Sequence, residues 1–329
     1  MKPLILIGLT ALLTACGGND SDSNSNPPPA SNAKMSLAFS DAPVDSVQKV
    51  CIAVANISIN PVTGNELGWS TASFLTSAED DGCTPLGLLI PSDDNGHPQF
   101  TYIDLLAYQG SHSRPLLDSQ DVVAGEYSQM RLEILDGTKS ENQFADGTPY
   151  SYVLQDDGVI KPLEVPSNEL KLDAFTIAAN GTSAFTTEFD LRHSMVLPGH
   201  EEHYKLKPRG VRLVNNTEVA TVKGTVASGL CGGVLTDKAF VYFYDGLRLD
   251  DDYPDMSDLD NGFYASAPVL PQTGGGYGYE LGFVNLGHYD VVLVCNGDSD
   301  DPELAGDVLT LGMVKKDQVV AAPTTELNF

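Results

Sequence analysis

Short apolar runs with a period of two dominate this chain, and no run follows a helix period between capping residues. Met35, Leu37 and Phe39 alternate with polar or small residues. So do Met130, Leu132 and Ile134, then Phe175 and Ile177, Val211 and Leu213, and Tyr289, Val291 and Leu293. A period of two lines one face of a strand. Two stretches go further. Residues 50–54 place Cys51 and Ala53 between Val50, Ile52 and Val54, and residues 240–244 are apolar or aromatic throughout. Such strands are buried on both faces. The phase slips between Val54 and Ile57, which predicts a bulge near Ala55 and Asn56. Gly, Pro, Asn and Asp clusters separate the runs, and Asn180-Gly181 is a hairpin signal. These features predict an all-β chain of two antiparallel β-sandwich domains, residues 34–216 and 217–329, with the boundary at Asn215-Asn216-Thr217. A hydrophobic content of 42% supports real cores in both.

The N-terminus reads as a secretory leader: a positive end at Lys2, an apolar run over residues 4–13, and small residues before Cys16. That run is too short to cross a bilayer, which takes about 20 apolar residues. Leu13-Thr14-Ala15-Cys16 resembles the bacterial lipobox. The resemblance implies a signal peptide over residues 1–15, cleavage after Ala15, and lipid on Cys16. Each buried lipid CH₂ contributes about 0.8 kcal/mol, so two or more chains anchor a protein stably. Gly17 is not acidic, and by resemblance to Gram-negative sorting this implies the outer membrane, with the chain facing the periplasm or the cell exterior. In an organism with one membrane the same signal implies the outer face of that membrane. Residues 16–33 are rich in Ser, Asn, Asp and Pro and predict a flexible, disordered linker.

The net charge of −27 argues against a nucleic-acid partner and suits solubility, cations or basic partners. With Cys16 assigned to lipid, Cys51, Cys83, Cys231 and Cys295 remain, an even set in an oxidising compartment. Three pairings are open. Sequence proximity and the domain split favour Cys51–Cys83 and Cys231–Cys295. No C-x-x-C is present, which disfavours redox catalysis and structural zinc.

Several segments in order resemble the bacterial lipoprotein family known as domain of unknown function 4382. They are Ser40-Asp41-Ala42-Pro43-Val44, Tyr102-Ile103-Asp104-Leu105-Leu106, and Ala124-Gly125-Glu126-Tyr127 with Met130-Arg131-Leu132. Val165-Pro166-Ser167, Phe189-Asp190-Leu191-Arg192-His193-Ser194 and Tyr204-Lys205-Leu206-Lys207-Pro208 follow. The resemblance covers residues 34 to about 214 and implies a β-rich extracytoplasmic domain with no assigned activity. The second unit is similar to transthyretin-like or carboxypeptidase-regulatory-like sandwiches through Gly224-Thr225-Val226, Val241-Tyr242-Phe243-Tyr244 and the strand from Tyr289. Such modules act as appended structural or binding domains.

The densest candidate chemistry is the acidic stretch Asp250, Asp251, Asp252, Asp255, Asp258 and Asp260, followed after Cys295 by Asp298, Asp300 and Asp301. Calcium takes six to eight oxygen ligands, and loops from one end of a sandwich can share an ion. The spacing is not that of an EF-hand. Asp80-Asp81-Gly82 and Asp93-Asp94-Asn95-Gly96 read as turns. His200-Glu201-Glu202-His203 lacks the H-E-x-x-H spacing of zinc proteases. Tyr277 and Tyr279, in a Gly-rich segment, would stack on sugar rings if exposed and pack inward if the segment is a strand. Glu188, Asp190 and Arg192, with Arg131, Lys205, Lys207 and Arg209, predict a cross-strand charge network. There is no G-x-S-x-G elbow.

The resulting expectation is a membrane-anchored extracytoplasmic lipoprotein with a binding or structural role, and not an enzyme. Its partners are the membrane through its lipid and a protein or glycan, with no required cofactor. One alternative is a calcium-dependent glycan- or surface-binding module. Another is a carboxylate-dependent hydrolase, for which no residue pair stands out.

Overall fold

The computed structural model describes residues 32–42, 47–75, 80–199, 202–233, 235, 238–249, 252–258 and 262–329. The leader, Cys16 and the linker up to residue 31 lie outside them, as do His200, Glu201, Asp250, Asp251 and Asp260. In chain order the strands are β1 (Asn32–Ala42), β2 (Val47–Pro61), β3 (Leu67–Ser70), β4 (Thr101–Asp104), β5 (Arg114–Val123), β6 (Gly125–Ile134), β7 (Tyr152–Gln155) and β8 (Ile160–Glu164). Next come β9 (Glu169–Leu172), β10 (Phe175–Ile177), β11 (Thr182–Asp190), the one-turn helix α1 (Leu191–Ser194), β12 (Met195–Val196), β13 (Tyr204–Leu206) and β14 (Val211–Asn215). The chain closes with β15 (Val219–Val226), β16 (Phe240–Asp245), β17 (Phe263–Pro268), β18 (Leu270–Pro271), β19 (Tyr277–Asn285), β20 (Gly287–Val294), β21 (Leu311–Val320) and β22 (Thr324–Glu326).

The fold is an all-β sandwich architecture of four sheets. Sheet one has the order β14-β11-β1-β5, and sheet two runs β10-β6-β2-β7-β8-β13-β12 with β3 and β4 on β2 and β9 on β6. Met35, Leu37 and Phe39 from sheet one meet Val50, Ile52, Leu132 and Ile134 from sheet two in the first core. Sheet three is β18-β19-β15-β22 and sheet four β17-β16-β20-β21. Val222, Leu281, Phe243, Val291 and Leu293 fill the second core. Residues 50–54 are fully buried because their second face carries another cluster, Cys51, Ala53, Phe100, Tyr102 and Tyr152. Residues 240–244 are likewise covered on both sides, with Phe240, Tyr242 and Tyr244 packed against Tyr253, Met256 and Phe263. The register of β2 against β6 shifts between Val54 and Asn56, where the phase slip placed a bulge.

Three expectations change. First, β1 begins at Asn32 with Ala33 already buried, so the strand reaches into the stretch read as linker. The reason is pairing: Asn32 and Ala33 align with Val123 and Val122 of β5. Second, the sheets are not purely antiparallel: β1 pairs with β11, β13 with β8, and β15 with β22 in parallel. Third, Asn180-Gly181 turns the chain, with Asn180 at φ 61°, but makes no hairpin. The flanking strands separate, β10 to β6 and β11 to β1.

Cys51 is bonded to Cys83, and Cys231 to Cys295. The first bond pins the excursion between β3 and β4 to the central strand of sheet two. In the chain-entropy model a loop of 32 residues closed this way contributes about 3–4 kcal/mol. Residues 31–329 form one compact unit, and no helix among the described residues is long and apolar enough to cross a membrane.

Candidate functional site

The two acidic loops do meet, and their carboxylates are taken up by backbone amides. Asp255 Oδ1 accepts from Ser257 N at 3.0 Å, and its Oδ2 accepts from Gly306 N at 2.7 Å and Asp307 N at 3.0 Å. Asp300 Oδ2 accepts from Tyr242 Oη at 2.7 Å and from Met256 N at 3.2 Å. Burial pushes the Asp255 carboxyl up, but the hydrogen bonds from Ser257, Gly306 and Asp307 outweigh it and hold the group low. Burial dominates at Asp300 and raises it. Asp298 pairs with Lys238 at 3.1 Å, and Asp301 accepts from Glu303 N at 2.8 Å. Asp252 is exposed and Asp258 half-buried. Among the described residues no group of three or more His, Cys, Asp or Glu is arranged to hold a metal ion. The pairing that the loops' composition suggested for calcium is, at Asp255 and Asp300, a polar joint between loops.

Tyr277 and Tyr279 follow the strand reading. Both belong to β19 and face the second core. Tyr279 is buried, and its hydroxyl donates to the Leu327 carbonyl at 2.8 Å. The Tyr279 ring is therefore not presented for stacking, and Tyr277 is half-buried. Their neighbours on the opposite face of the strand point outward, because alternate residues do.

That outward face lines a groove. Lys223 of β15 lies directly opposite Glu280 of β19 and Glu326 of β22, so a carboxylate flanks the lysine on each side across three strands. Adjacent strands lie about 4.8 Å apart. Thr225 and Gly278 form the next row, beside Asn328 and Gln272. The opposite wall is residues 109–112 of the first sandwich, and the space between is about 610 Å³. Asp41 N donates to the Tyr108 carbonyl at 2.9 Å, and Ser40 Oγ donates to the Tyr108 and His112 carbonyls at 3.1 and 2.8 Å. On the other side Ser111 N donates to Glu280 Oε1 at 3.1 Å. The approach is so close that a Cβ on Gly282 would lie 2.0 Å from the Gly110 carbonyl oxygen, so only glycine fits there. Among the described residues the Lys223, Glu326, His112 and Gln109 side chains have no hydrogen-bond or ion-pair partner.

Below the groove the sandwiches are joined by a polar seam. Arg192 of α1 reaches into the outer face of sheet four. It donates to Tyr242 Oη at 2.9 Å, Ser266 Oγ at 3.3 Å and the Gly297 carbonyl, with its guanidinium 3.8 Å from the Phe240 ring centre. Lys207 and Arg209 both pair with Glu303. Arg212 donates to the Tyr264 carbonyl at 3.0 Å and lies over that ring. The expected cross-strand network holds only in part: Lys205 pairs with Glu164 across β13 and β8, while Arg192, Lys207 and Arg209 cross to the second sandwich and Arg131 bonds Gln129 of its own strand. A strand's period gives the face of a charge and not its partner.

Glu188 sits opposite Arg212 in the β11–β14 register, with Oε1 3.9 Å from Nη2 and no hydrogen bond to either carboxylate oxygen. Burial pushes its carboxyl up to about 8, Arg212 opposes this, and Asp190 adds to it. Asp41, buried beside Glu188 and Asp190, is raised in the same direction, chiefly by burial. A carboxyl raised on folding favours the folded state when protonated, so its contribution is full below its unfolded value of 4.5 and is lost as pH rises towards about 8. At about 1.4 kcal/mol per pKa unit, stability should fall by about 3 kcal/mol between pH 5 and pH 8 through this group. Glu188→Gln should flatten most of that slope in thermal melts. A slope unchanged in the variant would assign it elsewhere.

Of the groove residues, Lys223 and Glu280 stand in the sequence as charges within largely apolar strands, while Glu326 closes the polar strand Thr-Thr-Glu, and only the registers of β15, β19 and β22 join them. No curated protein matches the chain. Among solved structures it is similar to a candidate cell adhesion protein from Bacteroides fragilis, at 10% identity over 90% of this chain and 91% of that chain, TM-score 0.21. A second, from Parabacteroides distasonis, shares 10% identity over 90% of this chain and 84% of that chain, TM-score 0.20. The fimbrial anchor protein Mfa2 from Porphyromonas gingivalis shares 7% over 84% of this chain and 83% of that chain, TM-score 0.16. Scores of this size do not establish a common fold, and nothing about this chain's ligands follows from them. The sequence family is another matter: residues 32–208, which hold Ser40, Asp41, Arg192 and Lys207, match the family described as Domain of unknown function (DUF4382), and the chain belongs to that family.

Proposed function

We propose that this chain is a lipid-tethered, extracytoplasmic binding protein whose ligand occupies the groove between its two sandwiches. The observation that carries the reading is the groove's construction. One wall is held by Ser40 and Asp41 of the family domain, the other is the outward face of sheet three, and Lys223, Glu326 and His112 face the space without partners. The similarity of the second unit to appended regulatory-type sandwiches agrees with a binding role.

The tether rests on Leu13-Thr14-Ala15-Cys16 and predicts outer-membrane attachment. Cys16→Ser should move the protein from the membrane pellet to the soluble fraction almost completely. Retention in the pellet at high salt would replace the lipid by a protein partner. The binding reading is tested by titrating the soluble variant against intact cell envelopes. Saturable binding that disappears when Thr225→Trp fills the groove supports it, and binding insensitive to Thr225→Trp rules the groove out.

A further inference from the structure

Resting on that reading, we infer that the groove binds an uncharged oligosaccharide. The floor is the face of sheet three and not its edge. The backbone groups of β15 are already paired with β19 on one side and β22 on the other. An extended peptide would find no free ladder to extend there, which is the main source of affinity in strand addition. Nor does the groove offer apolar pockets for alternate peptide side chains. Tyr279 is turned inward beneath the floor, and Leu270, at 42% exposure, is the exposed large apolar residue of the lining. What it offers is a set of small polar groups: the Gln109 amide, Lys223 and Glu326, beside Glu280, which also accepts from Ser111 N, and the Thr225 hydroxyl, which donates to the Asn328 amide oxygen at 3.0 Å.

Sugar hydroxyls donate and accept at once. Carboxylates and amide oxygens take their protons, while lysine and amide N–H groups give to their lone pairs. Side chains from three adjacent strands, about 4.8 Å apart at the backbone, set acceptor, donor and acceptor in one line across the floor, a pattern that can engage several hydroxyls along a saccharide. Leu270 can cover the C–H face of a sugar at one end. Two carboxylates disfavour an anionic sugar and the lysine between them disfavours a cationic one, which favours an uncharged ligand. Gly278 keeps the floor low: a Cβ there would lie 2.8 Å from the Gly224 carbonyl oxygen and 3.0 Å from Gln272 Nε2.

The test uses the full-length chain in detergent against an array of neutral, uronic and sulfated oligosaccharides, with a phage-displayed random peptide library panned in parallel. The expected result is binding of neutral saccharides that changes little between low and physiological salt. Lys223→Met and Glu326→Gln should each weaken it at least tenfold, and Thr225→Trp should abolish it, with melting temperatures retained. Binding of acidic sugars alone, or saccharide binding untouched by Thr225→Trp, overturns the inference. Peptides bound in place of saccharides and lost in Thr225→Trp would overturn the ligand class and leave the binding reading standing. Neither class binding would remove both.

Discussion

Asp81→Ala should be the most damaging single change in the first sandwich, lowering stability by about 3–5 kcal/mol. Asp81 lies in the excursion between β3 and β4 and sits with positive φ, 52°, beside Gly82. Its Oδ1 accepts from the Arg114 guanidinium and from Tyr108 Oη at 2.8 Å, and its Oδ2 accepts from Asp104 N at 3.1 Å. Lys49 joins the same group through its ion pair with Asp104 at 3.3 Å. Arg114 is buried, so deleting the carboxylate strips a buried cation of its carboxylate partner, which costs more than a lost surface contact. Asp81→Asn keeps the size and one acceptor oxygen, enough for Arg114 and Tyr108 but with a donor facing Asp104 N, and should cost less than Asp81→Ala. Urea melts of the two variants decide it. A loss below about 1 kcal/mol in Asp81→Ala would mean that water replaces the carboxylate and that Cys51–Cys83 alone holds the loop.

Arg192→Ala should be the second, acting between the sandwiches. It removes the hydrogen bonds to Tyr242, Ser266 and the Gly297 carbonyl and empties the position over Phe240. Charged hydrogen bonds contribute about 1.5–3 kcal/mol and a partly desolvated cation–π contact about 1–2, shared among coupled groups, so a loss of about 3 kcal/mol is expected. Arg192→Lys cannot reproduce a planar fork to three acceptors and should recover little. The readout that separates this from general destabilisation is local. Hydrogen exchange should speed up in residues 239–245 and 297–300 before it does in residues 50–54. Uniform acceleration across both sandwiches would refute a role at the seam.

How much of this was legible follows from what a sequence pattern encodes. Residues 50–54 and 240–244 declared themselves as doubly buried strands, and the bulge at Ala55 showed in the phase of the apolar residues, because burial acts residue by residue along a strand. Partner choice does not. Asn180-Gly181 gave the turn correctly, yet β10 and β11 leave it for different sheets. Asp81 read as a turn residue, which it is, but its guanidinium, phenol and amide partners lie 23 to 33 residues away along the chain. Arg192 was visible as a charge on a strand face and invisible as a bridge to Gly297, 105 residues on. The acidic stretches showed composition suited to a cation, while Asp255 and Asp300 spend their lone pairs on amides supplied by a distant loop. The groove was missed for the opposite reason. Its residues are unremarkable singly and become a site only when the registers of β15, β19 and β22 bring Glu280, Lys223 and Glu326 into one row.

The place of β1 in sheet one sets how this molecule would bear load. The strand β1 is not at an edge. It lies between β11 and β5, and its parallel register with β11 runs over nine consecutive pairs, from Lys34 with Thr182 to Ala42 with Asp190. A pull on the N-terminus by the membrane, resisted by a ligand held at the far side of Ser40 and Asp41, would run along β1 and shear both ladders at once, not peel them one bond at a time. Under the lipid anchor proposed above, traction would enter through a strand secured on both sides and reach, two residues before that strand ends, the Ser40 hydroxyl that bonds the groove wall.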